Sequence, residues 1–498
     1  MIGRLHTTCK KSYSASLVTP HYLWLSICLA GVISCNHGTL YQPDHSLSCE
    51  PDIRRYDNCE TPCVRYVRAD AWPGGSGDSW EQAFSTVQEA IDDAHCAARR
   101  CAASCQVWVA GGIYYVYRGD KHDTVQLRPG VEFFGGFAGD EVALDQRDSK
   151  ANPTVLDGCD GGPCNNRVYH VVTGSDDALI DGFTITNGNA DDVVEEHENS
   201  VECAGEYGQH CAGGGMLNVS AAPTVRNCTF AGNEARLDGG AIASYDSKPT
   251  INACVFSKNH AGVNGGAIIG SVSSDLTITN SVFTENSGTK LGGALFVDGG
   301  SVSIVNSTFW NNEAWGGFSW CGGATIDWSS DWTGKTNKIS LVNSIIYNSK
   351  TCGIPHEYGS YDGYGRVLVI DHSLVYDGYI YYGTLYNEPV FVDAEAGDLH
   401  LHPYSSAIDS ALDSMAPATD IEGNPRVDQP DRPGDDCEQD ESCGMVADIG
   451  AYEFVGQVKA LPHYVCDRKK VDCNMPNRRF VDGAVTNTGD GLSFDTAF

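Results

Sequence analysis

The chain has 498 residues, with 65 acidic against 32 basic side chains, a formal charge of −33 and 21 cysteines. A surface of that sign repels nucleic acid and anionic lipid headgroups and weakens binding of polyuronates, so nucleic-acid partners are excluded. Past one short run near the N-terminus, no segment is apolar enough to span a bilayer.

In chain order, Arg4, Lys10 and Lys11 precede an apolar run from Leu23 to Ile33, too short for a membrane helix, that ends in Val32-Ile33-Ser34-Cys35. That ending resembles a lipobox, and the resemblance implies cleavage before Cys35 and lipidation of its thiol. An ordinary secretory peptide is the alternative. On the lipobox reading, residues 1–35 are a lipoprotein signal peptide, the mature chain carries −36, and it meets the membrane through a lipid anchor only. Export also suits the cysteines. With Cys9, Cys28 and Cys35 in the leader, eighteen remain, and close spacing favours local disulfides such as Cys159–Cys164, Cys203–Cys211 and Cys437–Cys443. Metal binding by these thiols is the weaker reading, because no Cys-x-x-Cys occurs and histidines do not cluster near them.

A Cys-rich spacer (36–63) leads into the main domain, 64–455. Phe84, Val87, Ala90, Ile91 and Ala94 fall at helical spacing and predict an amphipathic helix over Trp80–Ala98 that caps the first coil of the domain. Short β-prone runs come next, at Val107–Val109, Val125–Leu127, Val131–Phe134 and Leu179–Ile185. Then a repeat sets in. Phe230, Phe256, Phe283 and Phe309 recur every 26 or 27 residues, each followed three residues later by Asn233, Asn259, Asn286 or Asn312. The glycine pairs Gly214-Gly215, Gly239-Gly240, Gly265-Gly266, Gly292-Gly293 and Gly322-Gly323 interleave with them. A fixed period of that size marks stacked units, none of which buries its apolar face alone.

Three short strands per unit, and no segment in it long enough for a helix, predict an all-β fold: a parallel β-helix with an N-terminal helical cap. Coils about 4.8 Å apart stack equivalent residues into ladders. One apolar ladder is Val225, Ile251, Ile278 and Ile304, and the phenylalanines form another. Asn227, Asn280, Asn306 and Asn343 precede a bend where left-handed backbone is tolerated, each amide reaching the amide of the next coil. The glycines serve a second bend. Cys228 and Cys254 occupy equivalent positions and are expected to stack as unbridged thiols. The segment Pro389–Phe454 is expected to close the far end. Beyond a linker (456–477), Phe480-Val481 and Gly491–Phe498 repeat Tyr66-Val67 and Gly77–Phe84 at a constant offset of 414 residues, so residues 478–498 read as the start of a second β-helix.

Phe-x-x-Asn with Gly-Gly-Ala-Ile is similar to the repeats of the polymorphic outer-membrane protein family, which are surface adhesins. Four further stretches resemble bacterial surface β-helix proteins with a choice-of-anchor Q region: Tyr66-Val67 with Gly77–Phe84, Phe134–Glu141, Ala407-Ile408-Asp409 with Asp420–Arg426, and Asp448–Glu453. The resemblance implies a right-handed, pectate-lyase-like parallel β-helix at the bacterial cell envelope, as an outer-membrane lipoprotein or at the cell surface, with no chemistry assigned.

The residues point to binding more than to catalysis. Galacturonan hydrolases on this fold need Asn-Thr-Asp, Asp-Asp, Gly-His-Gly and Arg-Ile-Lys motifs, of which only Asp176-Asp177 has a counterpart, and Asp371-His372 is the nearest approach to the Asp-Pro-His-Asp of uronan epimerases. Asp371 and His372 read instead as occupying the places of Asn343 and Ser344 in a coil. No basic ladder suited to a lyase is present, since Lys258, Lys290, Lys335 and Lys350 fall mostly in turns. No cofactor is required, although Asp176-Asp177, Asp191-Asp192 with Glu195-Glu196, and Asp435-Asp436 offer oxygen ligands that suit calcium.

Loops interrupt the coils at Asn189–Ala212, Glu313–Cys321, Asp327–Asn337 and Thr351–Gly365. The last three, with Trp310 beside them, carry Trp315, Trp320, Trp328, Trp332, Tyr358, Tyr361 and Tyr364. These eight rings are the candidate ligand-binding residues, for a glycan or a cell-surface protein. The expected function is a surface-anchored binding, adhesion or display module. A polysaccharide lyase or hydrolase is the first alternative and a structural envelope spacer the second.

Overall fold

In the computed structural model the chain divides into Met1–Pro43 and Asp44–Phe498. The structure describes residues 49, 63–197, 200–203, 210–316, 325–329, 337–347, 354, 366–375, 389–427 and 447–456, all in the second unit. Cys35, Cys437, Cys443 and the restart at 478–498 lie outside the described residues.

The strands stack in chain order into four parallel sheets. Sheet A has ten strands, from Val64–Val67 to Arg366–Asp371; sheet B has nine, from Gly112–Tyr115 to Leu374–Val375; sheet C has seven, from Val125–Gln126 to Ile326–Trp328. A fourth sheet, D, consists of five two-residue rungs from Asn189–Ala190 to Glu313–Ala314. A coil of the repeat therefore has four strands, not three. The extra rung is short because the chain turns just before it, at the left-handed Gly232, Lys258, Glu285 and Asn311, and the glycine bend soon follows.

Register bears out both apolar ladders. Val225, Ile251, Ile278 and Ile304 pair in succession, and so do the four phenylalanines. The rings of Phe230, Phe256, Phe283 and Phe309 are fully buried and stacked, with centroids 5.1, 4.6 and 4.5 Å apart and planes within 8°. Offset stacking of this kind adds to the burial of each ring, so the column anchors the core.

At the second bend the first glycine of each pair, Gly239, Gly265 or Gly292, has φ of 63–64°, and the second is crowded. A Cβ on Gly240 would sit 2.5 Å from the carbonyl oxygens of Gly266 and His260. The register Met216 to Ile242 makes Gly213-Gly214, not Gly214-Gly215, the equivalent pair, and Gly213 has φ of 71°. The same register logic pairs Asp371 with Val342, so His372 takes the place of Asn343, one residue from its expected position, and has φ of 42°.

A helix, α1 (Val87–Cys101), caps the first coil as expected. It starts late because Thr86 supplies the N-cap, its hydroxyl accepting from the Glu89 amide at 3.4 Å, while Trp80–Gln82 forms a separate 3-10 turn. Disulfides Cys49–Cys96 and Cys63–Cys105 tie the spacer to the cap and to sheet A, and the expected Cys159–Cys164 and Cys203–Cys211 are formed. Cys228 and Cys254 are free and buried, and burial pushes the Cys228 thiol up to about 12.

The segment 389–427 with 447–456 does not close the end of the stack. It lies along the flank, where Asn280 Nδ2 donates to the Thr419 carbonyl at 2.7 Å, Asn306 Nδ2 to that of Asp448 at 2.9 Å and Asn343 Nδ2 to that of Leu412 at 3.0 Å. Lys150, far back towards the N-terminal coils, reaches Glu422 at 2.8 Å. Bends with left-handed asparagines present their amides sideways, so they take a lateral partner. Of this column only Asn343 bonds its neighbour's side chain as expected, Nδ2 to Asn306 Oδ1 at 3.1 Å.

Candidate functional site

The aromatic residues proposed from sequence separate into two kinds. Trp310 lies in a strand of sheet B, 3% exposed, packed against Val282, Leu399 and Ala451 under the flanking segment. Trp328 ends a strand of sheet C and belongs to the interior core. Neither is available to a ligand, because strand register, and not a loop, sets their direction. Trp315, just past the last rung of sheet D, is 66% exposed. Trp320, Trp332, Tyr358, Tyr361 and Tyr364 lie outside the described residues.

A more exposed ring was missed. Trp72, in the turn after the first strand of sheet A, is 88% exposed. It borders a cleft of about 370 Å³ lined also by Arg68, Asp70, Pro73, Trp80 and Glu81. Arg68 donates to both carboxylate oxygens of Asp70, each at 3.0 Å, and the guanidinium holds the Asp70 carboxyl below its ordinary range. The floor is fixed. Trp80 is buried, its indole N–H donates to the Glu141 carbonyl at 2.9 Å, and its ring meets Tyr66 edge-on at 4.8 Å. Trp72-Pro73-Gly74-Gly75 was the available sequence signal: a tryptophan in a turn, where no neighbouring coil covers it.

The acids of the recurring motifs are used internally. Glu141 accepts from the amides of Ala138, Gly139 and Asp140. Asp448 accepts from the Asp409 and Phe454 amides, and Glu453 from Arg426 at 2.8 Å and the Val427 amide. Burial pushes both carboxyls of that pair up, each opposed by its hydrogen bonds. Asp181, fully buried, receives Arg147, Arg226 and the amide of Asn227. Asp238, beside the glycine bend, is pushed up to about 6 by burial, and it accepts from the Asn264 amide at 2.9 Å. Each carboxylate here satisfies backbone or an ion pair, and the two acids that do face one another, Asp448 and Glu453, are buried rather than lining a cleft.

One further polar cluster joins distant segments. His122, Asp192 and His210 bring a ligand atom each to within 4.8 Å of one another. His122 follows the strand Gly112–Tyr115, Asp192 follows the first rung of sheet D, and His210 is held beside the Cys203–Cys211 bridge. Asp192 was expected to join Asp191, Glu195 and Glu196 as oxygen ligands. Instead Asp191 pairs with Lys121 at 3.2 Å, and the side chains of Glu195 and Glu196 lie outside the described residues.

A family model described as a right handed beta helix region matches residues 170–333. The chain is a right-handed parallel β-helix. That match spans the repeats and is to the coil itself, coarser than either family the motifs resemble. No curated protein matches the chain. Among solved structures it is similar to a pectin methylesterase from carrot, at 11% identity and a TM-score of 0.29 over 63% of this chain and 90% of that one. A pectin methylesterase in complex with a hexasaccharide has 11% identity and a TM-score of 0.33 over 70% and 96%. One from Yersinia enterocolitica has 11% identity and a TM-score of 0.29 over 57% and 94%.

Proposed function

We propose that this β-helix is a binding and display module of the bacterial envelope, tethered through Cys35, that contacts glycan through exposed tryptophans at its turns. The observation that carries the reading is Trp72, 88% exposed beside the Arg68–Asp70 pair. An indole face stacks on the apolar face of a sugar ring, while a fixed guanidinium and carboxylate offer a donor and an acceptor to its hydroxyls. Trp315 supplies a second exposed ring. The coil's own carboxylates support binding over catalysis, since they are engaged in holding backbone.

A glycan array probed with the purified protein should give hits that weaken on Trp72→Ala by about 1–3 kcal/mol, if stacking resembles that on other planar ligands. Thermal stability should be unchanged. Binding that survives both Trp72→Ala and Trp315→Ala would refute the proposal. The tether has its own check: fatty-acid labelling of expressing cells should mark the protein, and the label should vanish in Cys35→Ala.

A further inference from the structure

His122, Asp192 and His210 stand 70 and 18 residues apart in sequence and meet on one flank of the solenoid. Two imidazoles and one carboxylate are a donor set for a first-row transition ion, whereas calcium takes six to eight oxygens. The spacing fits. Asp192 Oδ2 lies 3.0 Å from His210 Nδ1 and 3.6 Å from His122 Nε2, and tetrahedral bonds of about 2.0–2.1 Å place donor atoms about 3.3 Å apart.

The surroundings are those that orient metal-binding imidazoles. His122 Nδ1 is 2.9 Å from Asp120 Oδ1, so Nδ1–H donates to that carboxylate and the Nε2 lone pair is left facing Asp192. The Tyr169 ring meets His122 edge-on at 5.0 Å. Lys121, over the Tyr169 ring and paired with Asp191, keeps its charge off the cluster's own carboxylate.

An independent observation comes from His170. This side chain is 8% exposed, and its ring lies 6.0 Å from that of His210. Its Nδ1 is 2.9 Å from the Gly213 carbonyl, which can only accept, so Nδ1 carries the proton and Nε2 the lone pair. That Nε2 is buried with no hydrogen-bond partner among the described residues. A buried acceptor without a donor is unfavourable, and a nearby cation would relieve it.

We infer that His122, Asp192 and His210 form a site for one divalent transition-metal ion of the zinc class, with the buried imidazole of His170 beside it. Such an ion would clamp the turn carrying His122 to the disulfide-bonded loop carrying His210. This rests on the side-chain cluster and is independent of the glycan reading.

The test uses the full-length chain with its disulfides formed, stripped by chelator and titrated with zinc chloride in a calorimeter. One zinc per chain is expected, not displaced by millimolar calcium chloride, with cobalt substitution giving the visible bands of a tetrahedral nitrogen and oxygen site. Asp192→Asn and His122→Gln should each weaken binding at least 100-fold. Asp120→Asn, a positioning change, should weaken it about 10- to 100-fold. His122 is half exposed, so His122→Gln should fold like the parent, and a matching thermal melt checks this. No zinc binding, equal affinity in His122→Gln and the parent, or displacement by calcium would overturn the site. The first of these outcomes would leave the cluster a hydrogen-bonded staple.

Discussion

Asn233, Asn259, Asn286 and Asn312 form one column in the stack, while Asn227, Asn280, Asn306 and Asn343 form another a few residues earlier in their coils. In the first, every residue is fully buried. Each Oδ1 of Asn259, Asn286 and Asn312 accepts the backbone amide of the asparagine in the coil before it at 3.1 Å, and each Nδ2 of those three donates back to a phenylalanine carbonyl at 2.9 Å. That column is satisfied along the solenoid axis by copies of itself. In the second, φ lies between 46° and 52°, and the amides mostly leave the axis for another part of the chain. The same residue type is thus a rung in one place and a socket in the other. What differs is backbone: a left-handed residue turns its side chain out of the stack, and an extended one keeps it within.

Substitution should separate the two columns. Asn259→Ala removes the acceptor for the Asn233 amide and the donor to the Phe230 carbonyl in a dry interior, and should lower unfolding free energy by about 3–5 kcal/mol in denaturant titration, at about 1–3 kcal/mol per orphaned group. Asn343→Ala removes its bonds to both the carbonyl and the amide of Leu412, at the border of core and flank, and should cost about 1–2 kcal/mol. Its mark is local: hydrogen exchange should quicken in 389–427 while the phenylalanine column stays protected. Equal losses in the two variants, or global loosening in the second, would mean that the columns do one job. The smallest effect is a gain. Ala253 occupies the second column with φ of 52°, a conformation that asparagine tolerates better than alanine, so Ala253→Asn should stabilise by about 0.5–1 kcal/mol. A loss there would show that the bend is not strained.

The flanking segment explains the tail motifs in the same terms. Ala407–Asp409, Asp420–Arg426 and Asp448–Glu453 converge into one network, with Arg426 bridging Glu453 at 2.8 Å and Asn280 Oδ1 at 3.0 Å. Their acids hold irregular backbone together where no ladder can. In the sequence these acidic motifs carry no sign of their use. In the structure they fasten the segment to the outward asparagine column.

Periodicity by itself determined the parallel β-helix, the phenylalanine and aliphatic ladders, the left-handed asparagines, the capping helix and the unbridged thiols. Apart from the helix, which its own helical spacing of apolar positions encodes, each of these depends on neighbours one coil away, and the repeat length encodes that distance. The site residues were less legible. Trp310 and Trp328 looked free but are covered, one by the flanking segment and one by the core, and Trp72 was overlooked because nothing in a composition marks which turn stays bare. His122, His170 and His210 carry no spacing signal, since the insertions that bring them together have no period. Tertiary structure decided those matters because exposure and ligand geometry depend on which segment lies against a coil's outer face, and only the inner face is written in the repeat.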